Sequence, residues 1–324
     1  MKNNSFFLLI IFLNLFIFDS CQRETYEIHK LTGEPLQVEL PFMRYPTSIG
    51  LLDSNIIILD LASDSYFYHV CSYPDLTYQY SFGRKGNGPG EIVLPTPFQI
   101  FEKSIVLLDG AKGNFFRHSL LSEEIMNPQH LEIPMSTDFI ILNDTTVIIG
   151  DLSGSYRLSL YTPQMNKGLF SIPDEFKKDD PNTGRIWRSY MDYNRSNNKL
   201  VLATQFGDVI EIYNLKDSSC IRKIGKGGIP QSASRHIKGY CDIKWWNNDI
   251  YALYTSKEEL LEDEHLQRIP SGGNIIHVFN ELGEKTTVYH LDIFINGFAI
   301  DEKKNAIIGV TSNEDYMIYV FNIP

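Results

Sequence analysis

The chain is 324 residues long and carries a formal net charge of −11, from 29 lysines and arginines against 40 aspartates and glutamates. That balance argues against nucleic acid or an anionic bilayer surface as partner, because both need a basic face. Aromatic residues at 13% beside many valines and isoleucines favour strands, and four cysteines in a chain of this size do not make a disulfide framework.

In chain order, Lys2 precedes an apolar run from Phe6 to Phe18, broken only by Asn14, and then Asp19-Ser20-Cys21. The run is shorter than the roughly 20 residues a membrane span needs and suits a signal-peptide core. A small residue directly before a cysteine resembles the lipobox of bacterial lipoproteins. The resemblance implies that residues 1–20 are removed, that Cys21 is diacylated, and that residues 21–25 form a short polar tether to a cell-envelope membrane, in all expectation the outer one. Phe18 and Asp19 depart from the usual Leu-small-small lead-in, and an ordinary cleaved signal or an uncleaved anchor are the alternatives. Cys71, Cys220 and Cys241 are left as an odd remainder.

Beyond the tether the sequence repeats. Six short apolar runs recur at intervals of roughly 40 to 55 residues: Ile56–Leu59, Ile105–Leu108, Thr146–Ile149, Leu200–Ala203, Ile250–Leu253 and Ala306–Gly309. Each follows a turn-former such as Asp53-Ser54-Asn55 or Asn247-Asn248. Each is followed by a second run: Tyr66–Tyr68, Phe115–Arg117, Tyr156–Leu158, Val209–Glu211, Ile275–His277 and Met317–Tyr319. Hairpins at this period predict an all-β, six-bladed β-propeller of four-stranded antiparallel blades. The runs are apolar almost without interruption because a sheet between two neighbours is buried on both faces. The expected blades cover approximately 41–82, 95–132, 136–173, 187–226, 236–291 and 294–324, with a strand from 26–40 completing the last blade and removing its open edge.

Between the second and third runs of the fifth repeat lies an insertion, Thr255 to Gly273, whose Lys257–Leu266 stretch is rich in helix formers. It reads as a solvated acidic helix or as a partner-facing arm. The polar stretch Pro173 to Arg188 lacks the alternate-oxygen spacing of a calcium loop.

The most distinctive stretch is Ser81-Phe82-Gly83-Arg84-Lys85-Gly86-Asn87-Gly88-Pro89-Gly90-Glu91-Ile92-Val93-Leu94-Pro95. Its glycines and prolines forbid a regular element and specify a turn between two sheets. A phosphate cradle would require a helix to follow, and no helical pattern does. The motif F-G-x-x-G-x-G-P-G-E resembles the inter-blade signature of NHL-type repeats, and most closely the six-bladed TolB-like propeller lipoproteins of Bacteroidota; Lys223–Pro230 is a degenerate second copy. The resemblance bears on the fold and implies neither a cofactor nor an enzymatic activity.

No G-x-S-x-G, H-E-x-x-H or C-x-x-C motif is present. Among eight histidines, His69, His118 and His277 fall in third strands of separate blades, too far apart to share a metal. The connections into each innermost strand surround one mouth of a propeller channel. There the sequence offers Arg44, Tyr45, Trp187, Arg188, Tyr190, Arg235, His236 and Tyr240 as candidate ligand-binding residues. Aromatics beside arginines suit an anionic or carbohydrate-like ligand; the other reading is inter-blade packing, with the arginines paired to local carboxylates. Trp245-Trp246 is expected to place one ring on each side of blade five. The composite expectation is a monomeric, lipid-anchored, non-enzymatic module that binds a small molecule, glycan or protein. Its alternatives are an envelope lyase or hydrolase using His236 with Asp242 or Glu91, and a structural subunit docking through the 255–273 insertion.

Overall fold

The computed structural model describes residues 26–36, 40, 42–120, 129–133, 135–150, 152, 156–176, 182–231, 239–255 and 271–324. The six apolar runs fall in six second strands, and each sheet pairs its strands in chain order, first to fourth, except blade six, whose fourth strand comes from the N-terminal segment. In blade one these are Pro46–Leu52, Asn55–Asp60, Tyr66–Ser72 and Tyr78–Arg84. The reason for the unbroken apolar runs is visible in that blade: Ile56 and Ile58 pack toward blade six, while Ile57 and Leu59 pack toward blade two. Blade four repeats the arrangement, with Leu200 and Leu202 toward blade three and Val201 and Ala203 toward blade five. Every pair of neighbouring blades shares such a cluster, including six with one, where Ile308 and Val310 meet Ile49 and Ile56. The ring is therefore closed by side chains. Each fully buried isoleucine contributes about 1.5–3 kcal/mol through apolar burial.

A strand from 26–40 completes blade six as expected, but it is short: among the described residues Glu34–Pro35 forms it, with Glu34 opposite Val320 and Pro35 opposite Tyr319. The preceding segment, Glu27–Leu31, lies on blade five instead, as a fifth strand parallel to Lys285–Ile295. That partner is 11 residues long and would otherwise present a long open edge. Gly33 marks the crossing between the two blades: a Cβ there would stand 2.8 Å from the Phe321 ring. A second difference is local. The third strand of blade three begins at Leu158 rather than Tyr156, because Arg157 turns inward to a buried partner described below.

First and third strands run one way and second and fourth strands the other. The molecule thus has two unlike ends. The entry face carries the links into each first strand and the loops between second and third strands. The turn face carries the tight first-to-second and third-to-fourth turns. The insertion leaves the entry face at Thr255, and its residues 256–270 lie outside the described ones. The 173–188 stretch contains single turns at Asp174–Phe176 and Thr183–Ile186.

Candidate functional site

The glycine-rich turn explains itself first. The Glu91 carboxylate folds back so that Gly88 N–H donates to Oε2 at 2.8 Å, and a Cβ on Gly86 would lie 2.0 Å from that same oxygen. Lys112 Nζ donates to the Glu91 carbonyl at 3.0 Å. A concave set of backbone N–H groups attracts an anion, and here the anion is the chain's own. In the degenerate copy Asp208 takes that role: Gly227 N–H donates to its Oδ2 at 3.3 Å, and a Cβ on Gly225 would meet it at 2.0 Å.

Around the axis, each innermost strand has one edge with no strand beside it, so its inward N–H groups need acceptors. In half the ring, aspartates supply them across the blade boundary. Met191 N–H donates to Asp138 Oδ2 at 2.9 Å, Trp245 N–H to Asp192 Oδ2 at 2.6 Å, and Phe298 N–H to Asp242 Oδ2 at 3.0 Å. The other oxygen of each takes the N–H of its own following residue, from Phe139, Tyr193 and Ile243, at 2.8 to 2.9 Å. Lys244 Nζ also reaches Asp242 Oδ1, at 2.9 Å. Burial pushes the Asp138 carboxyl up to about 7 against the pull of its two N–H donors, and burial likewise raises Asp192. For Lys244 burial acts to lower the ammonium, yet Asp242 and then Asp192 outweigh it and raise it. Asp242 does not face a histidine in any described contact, and Glu91 closes its own turn on another blade.

Below this polar layer the axis opens on the turn face into a cavity of about 240 Å³, lined among others by Gln99, Asp192, Lys244, Trp245, Trp246 and Glu302. Trp246 packs with the core shared by blades five and six, and Trp245 with that shared by four and five, one ring on each side of the sheet. Both indole Nε1 atoms are buried with no partner among the described residues. A second depression of about 540 Å³ between blades one and six shares Leu51, Ile300 and Glu302 with the first.

The entry-mouth candidates are distributed otherwise. Arg44 is exposed and pairs with Asp64 at 2.9 Å; Tyr45 is exposed and its hydroxyl donates to Ser271 Oγ at 3.4 Å. Trp187 is buried, stacked on Phe176 beneath the Arg157 guanidinium. Tyr240 is buried too, its hydroxyl donating to Asp208 Oδ1 at 2.8 Å. Tyr190 packs against the core between blades four and five, and burial raises its phenol. Arg188 is half-buried, and its Nε has no partner among the described residues. Arg235 and His236 lie outside the described residues. The six described side chains are not gathered into one pocket.

A model of the TolB-like 6-blade propeller-like family matches residues 28–303. The chain belongs to this family. The TolB-like propeller is similar in structure to a Bacteroides fragilis protein designated as exported, at a TM-score of 0.57 and 14% identity, covering 92% of this chain and 99% of that one. It is also similar to a member of the DUF4221 family from Bacteroides vulgatus, at a TM-score of 0.59 and 11% identity, covering 90% and 95%. No curated protein matches the sequence. Likeness at these identities bears on the fold alone.

In the TolB-like propeller the three third-strand histidines serve packing. His69 Nδ1 meets Ser81 Oγ at 2.7 Å, His118 Nε2 meets the Tyr80 hydroxyl at 3.0 Å, and His277 Nδ1 meets the Tyr240 hydroxyl at 3.3 Å. Among the described residues no group of histidine, cysteine and carboxylate side chains is arranged to hold a metal ion. Sequence reasoning missed Asp138 and Asp192 as axial residues, and Lys244 beside them. The signal for the aspartates, Asp242 included, was an acid at or just inside a largely apolar first strand, repeated in Thr137-Asp138-Phe139, Met191-Asp192-Tyr193 and Cys241-Asp242-Ile243.

Proposed function

We propose that this chain is an exported, lipid-anchored propeller of the bacterial cell envelope that binds a small polar molecule in its axial cavity without transforming it. The observation that carries the reading is the axial cavity beyond the ring of aspartates. All six oxygens of Asp138, Asp192 and Asp242 accept hydrogen bonds from backbone N–H groups, which gives these carboxylates a structural role in joining one blade to the next. The cavity beyond them is open, and Gln99, Lys244 and Glu302 on its lining, beside the two tryptophans, suit a small ligand carrying both donors and acceptors, such as a polyol. Diacylation at Cys21 is supported by the sequence of residues 1–25 alone, which lie outside the described ones; export is supported by the same sequence and by the designation of the Bacteroides fragilis neighbour as exported.

The test is a thermal-shift screen of neutral sugars, polyols and small carbonyl compounds on the purified protein. A compound that raises the melting temperature should lose its effect in Lys244→Met and Trp246→Ala and keep it in Arg44→Ala. Shifts that survive both cavity changes but vanish with Arg44→Ala would move the site to the entry face. Turnover of a compound, lost in Asp138→Asn, would make the protein an enzyme. For the anchor, fatty-acid labelling should disappear in Cys21→Ser.

A further inference from the structure

The path of the first described strand fixes where any anchor must leave the propeller. Glu27–Leu31 runs parallel to Lys285–Ile295, with Glu27 opposite Thr287 and Leu31 opposite Leu291. Lys285 is where that fourth strand leaves the turn after Phe279, so it starts at the turn face and rises toward the entry face. Its parallel neighbour rises the same way. The chain therefore enters the fold at the rim of the turn face, where Lys285 Nζ lies 5.7 Å over the Tyr26 ring. Extended chain covers at most about 3.6 Å per residue, so the stretch from Cys21 to Glu27 reaches roughly 20 Å. A first strand of 7 residues, Pro46–Leu52, separates the two faces by a similar distance, roughly 20 Å.

We infer that the anchored protein holds its turn face, with the mouth of the axial cavity, toward the bilayer and presents its entry face to the medium. The inference rests on diacylation at Cys21, and adds to it a direction that the parallel pairing sets. A tether attached at the opposite rim, or at a flexible terminus far from either face, would leave the orientation free. Here the exit point is fixed by a strand whose Leu31 is buried in the core between blades five and six, and the entry face could meet the bilayer only with the tether drawn out to its full length along the blade. The face turned outward then carries Arg44, Tyr45 and the point where the fifth-blade insertion departs. The cavity mouth looks instead toward the lipid headgroups, across a gap that the tether limits to roughly 20 Å.

The experiment uses the full-length lipidated protein in phosphatidylcholine vesicles with a headgroup-labelled energy acceptor. In a Cys220→Ser background, which removes the exposed thiol, a donor dye is placed on one blade at the turn face by Ser54→Cys or at the entry face by Ser65→Cys; both positions are exposed. The expected result is a strong loss of donor emission at residue 54 and a much weaker loss at residue 65. Equal loss at the two positions, or a greater loss at 65, overturns the orientation while leaving the anchor intact. Failure of the wild-type chain to take up labelled fatty acid overturns the anchor itself, and the two failures are read independently.

Discussion

Replacing Arg157 by methionine should destabilise the protein more than any other single charge removal. Glu211 lies in the third strand of blade four with no exposed surface, and it accepts from Arg157 Nε at 2.7 Å and from Arg222 Nε at 2.8 Å. Arg157, itself buried, also donates to the Trp187 carbonyl and to Ser189 Oγ, both at 2.5 Å, and so bolts blade three to blade four. Burial acts to raise the Glu211 carboxyl, but Arg157 and then Arg222 overcome it and hold it below the usual range. Without Arg157 a buried carboxylate keeps one guanidinium, which is itself partly solvated. The expected cost is about 3–5 kcal/mol. Arg222→Met should cost about 2 kcal/mol, the scale of a hydrogen bond to a charged group. The pair Arg157→Met with Glu211→Leu should cost less than the sum of its parts, because the orphaned charge is then gone. Urea unfolding followed by circular dichroism and by tryptophan fluorescence gives these values if the two probes coincide. The carboxylate is depressed in the fold, so its contribution is present above its unfolded value near 4.5 and is lost as pH falls through the lower folded value. The gap between wild type and Arg157→Met should hold at neutral pH and shrink only under acid conditions. An Arg157→Met protein within about 1 kcal/mol of wild type, or strictly additive changes, would refute this account of the buried ions.

Other changes test other parts. Gly86→Ala places a Cβ on the Glu91 carboxylate at a backbone φ of 150° and should cost about 1–3 kcal/mol in thermal unfolding, with a smaller loss when Glu91→Ala has removed the clash. His277 is held neutral by burial, its pKa lowered to about 3 from 6.5, so the unfolded chain binds the proton first and stability is lost as pH falls below about 6.5; melting temperatures measured across that range should flatten in His277→Gln. Asp138 has the opposite sign: raised from 3.8 to about 7, it makes stability fall as pH rises through that interval, and Asp138→Asn should remove that slope. Asp192→Ala leaves the Trp245 N–H without its acceptor and should cost about 1–3 kcal/mol in urea unfolding.

The fold was legible because each second strand must satisfy two neighbours at once. Runs such as Ile56–Leu59 and Leu200–Ala203 report burial on both faces, and their spacing reports the ring. The seam was not legible in the same way. Ile28 and Leu31 look alike to any sheet edge, and nothing in 26–40 distinguishes a fourth strand on blade six from a fifth on blade five. The entry-mouth candidates illustrate the limit at the site: sequence places Trp187 and Tyr240 in the right connections but is silent on side-chain direction, and both point into packed cores. The axial aspartates were partly legible, as acids recurring where apolar residues are the rule. Their partners were not, because an N–H on the next blade leaves no mark in the side-chain alphabet.

Glu34 finds its partner in Val320, nearly the whole length of the polypeptide away. Such a junction cannot form while the chain is still emerging, and pairings this distant in sequence are slow. Until that contact is made the ring is an open crescent, with the facing flanks of blades one and six both bare. In that state Ile49 and Ile56 on one flank and Ile308 and Val310 on the other lack the partners they meet at closure.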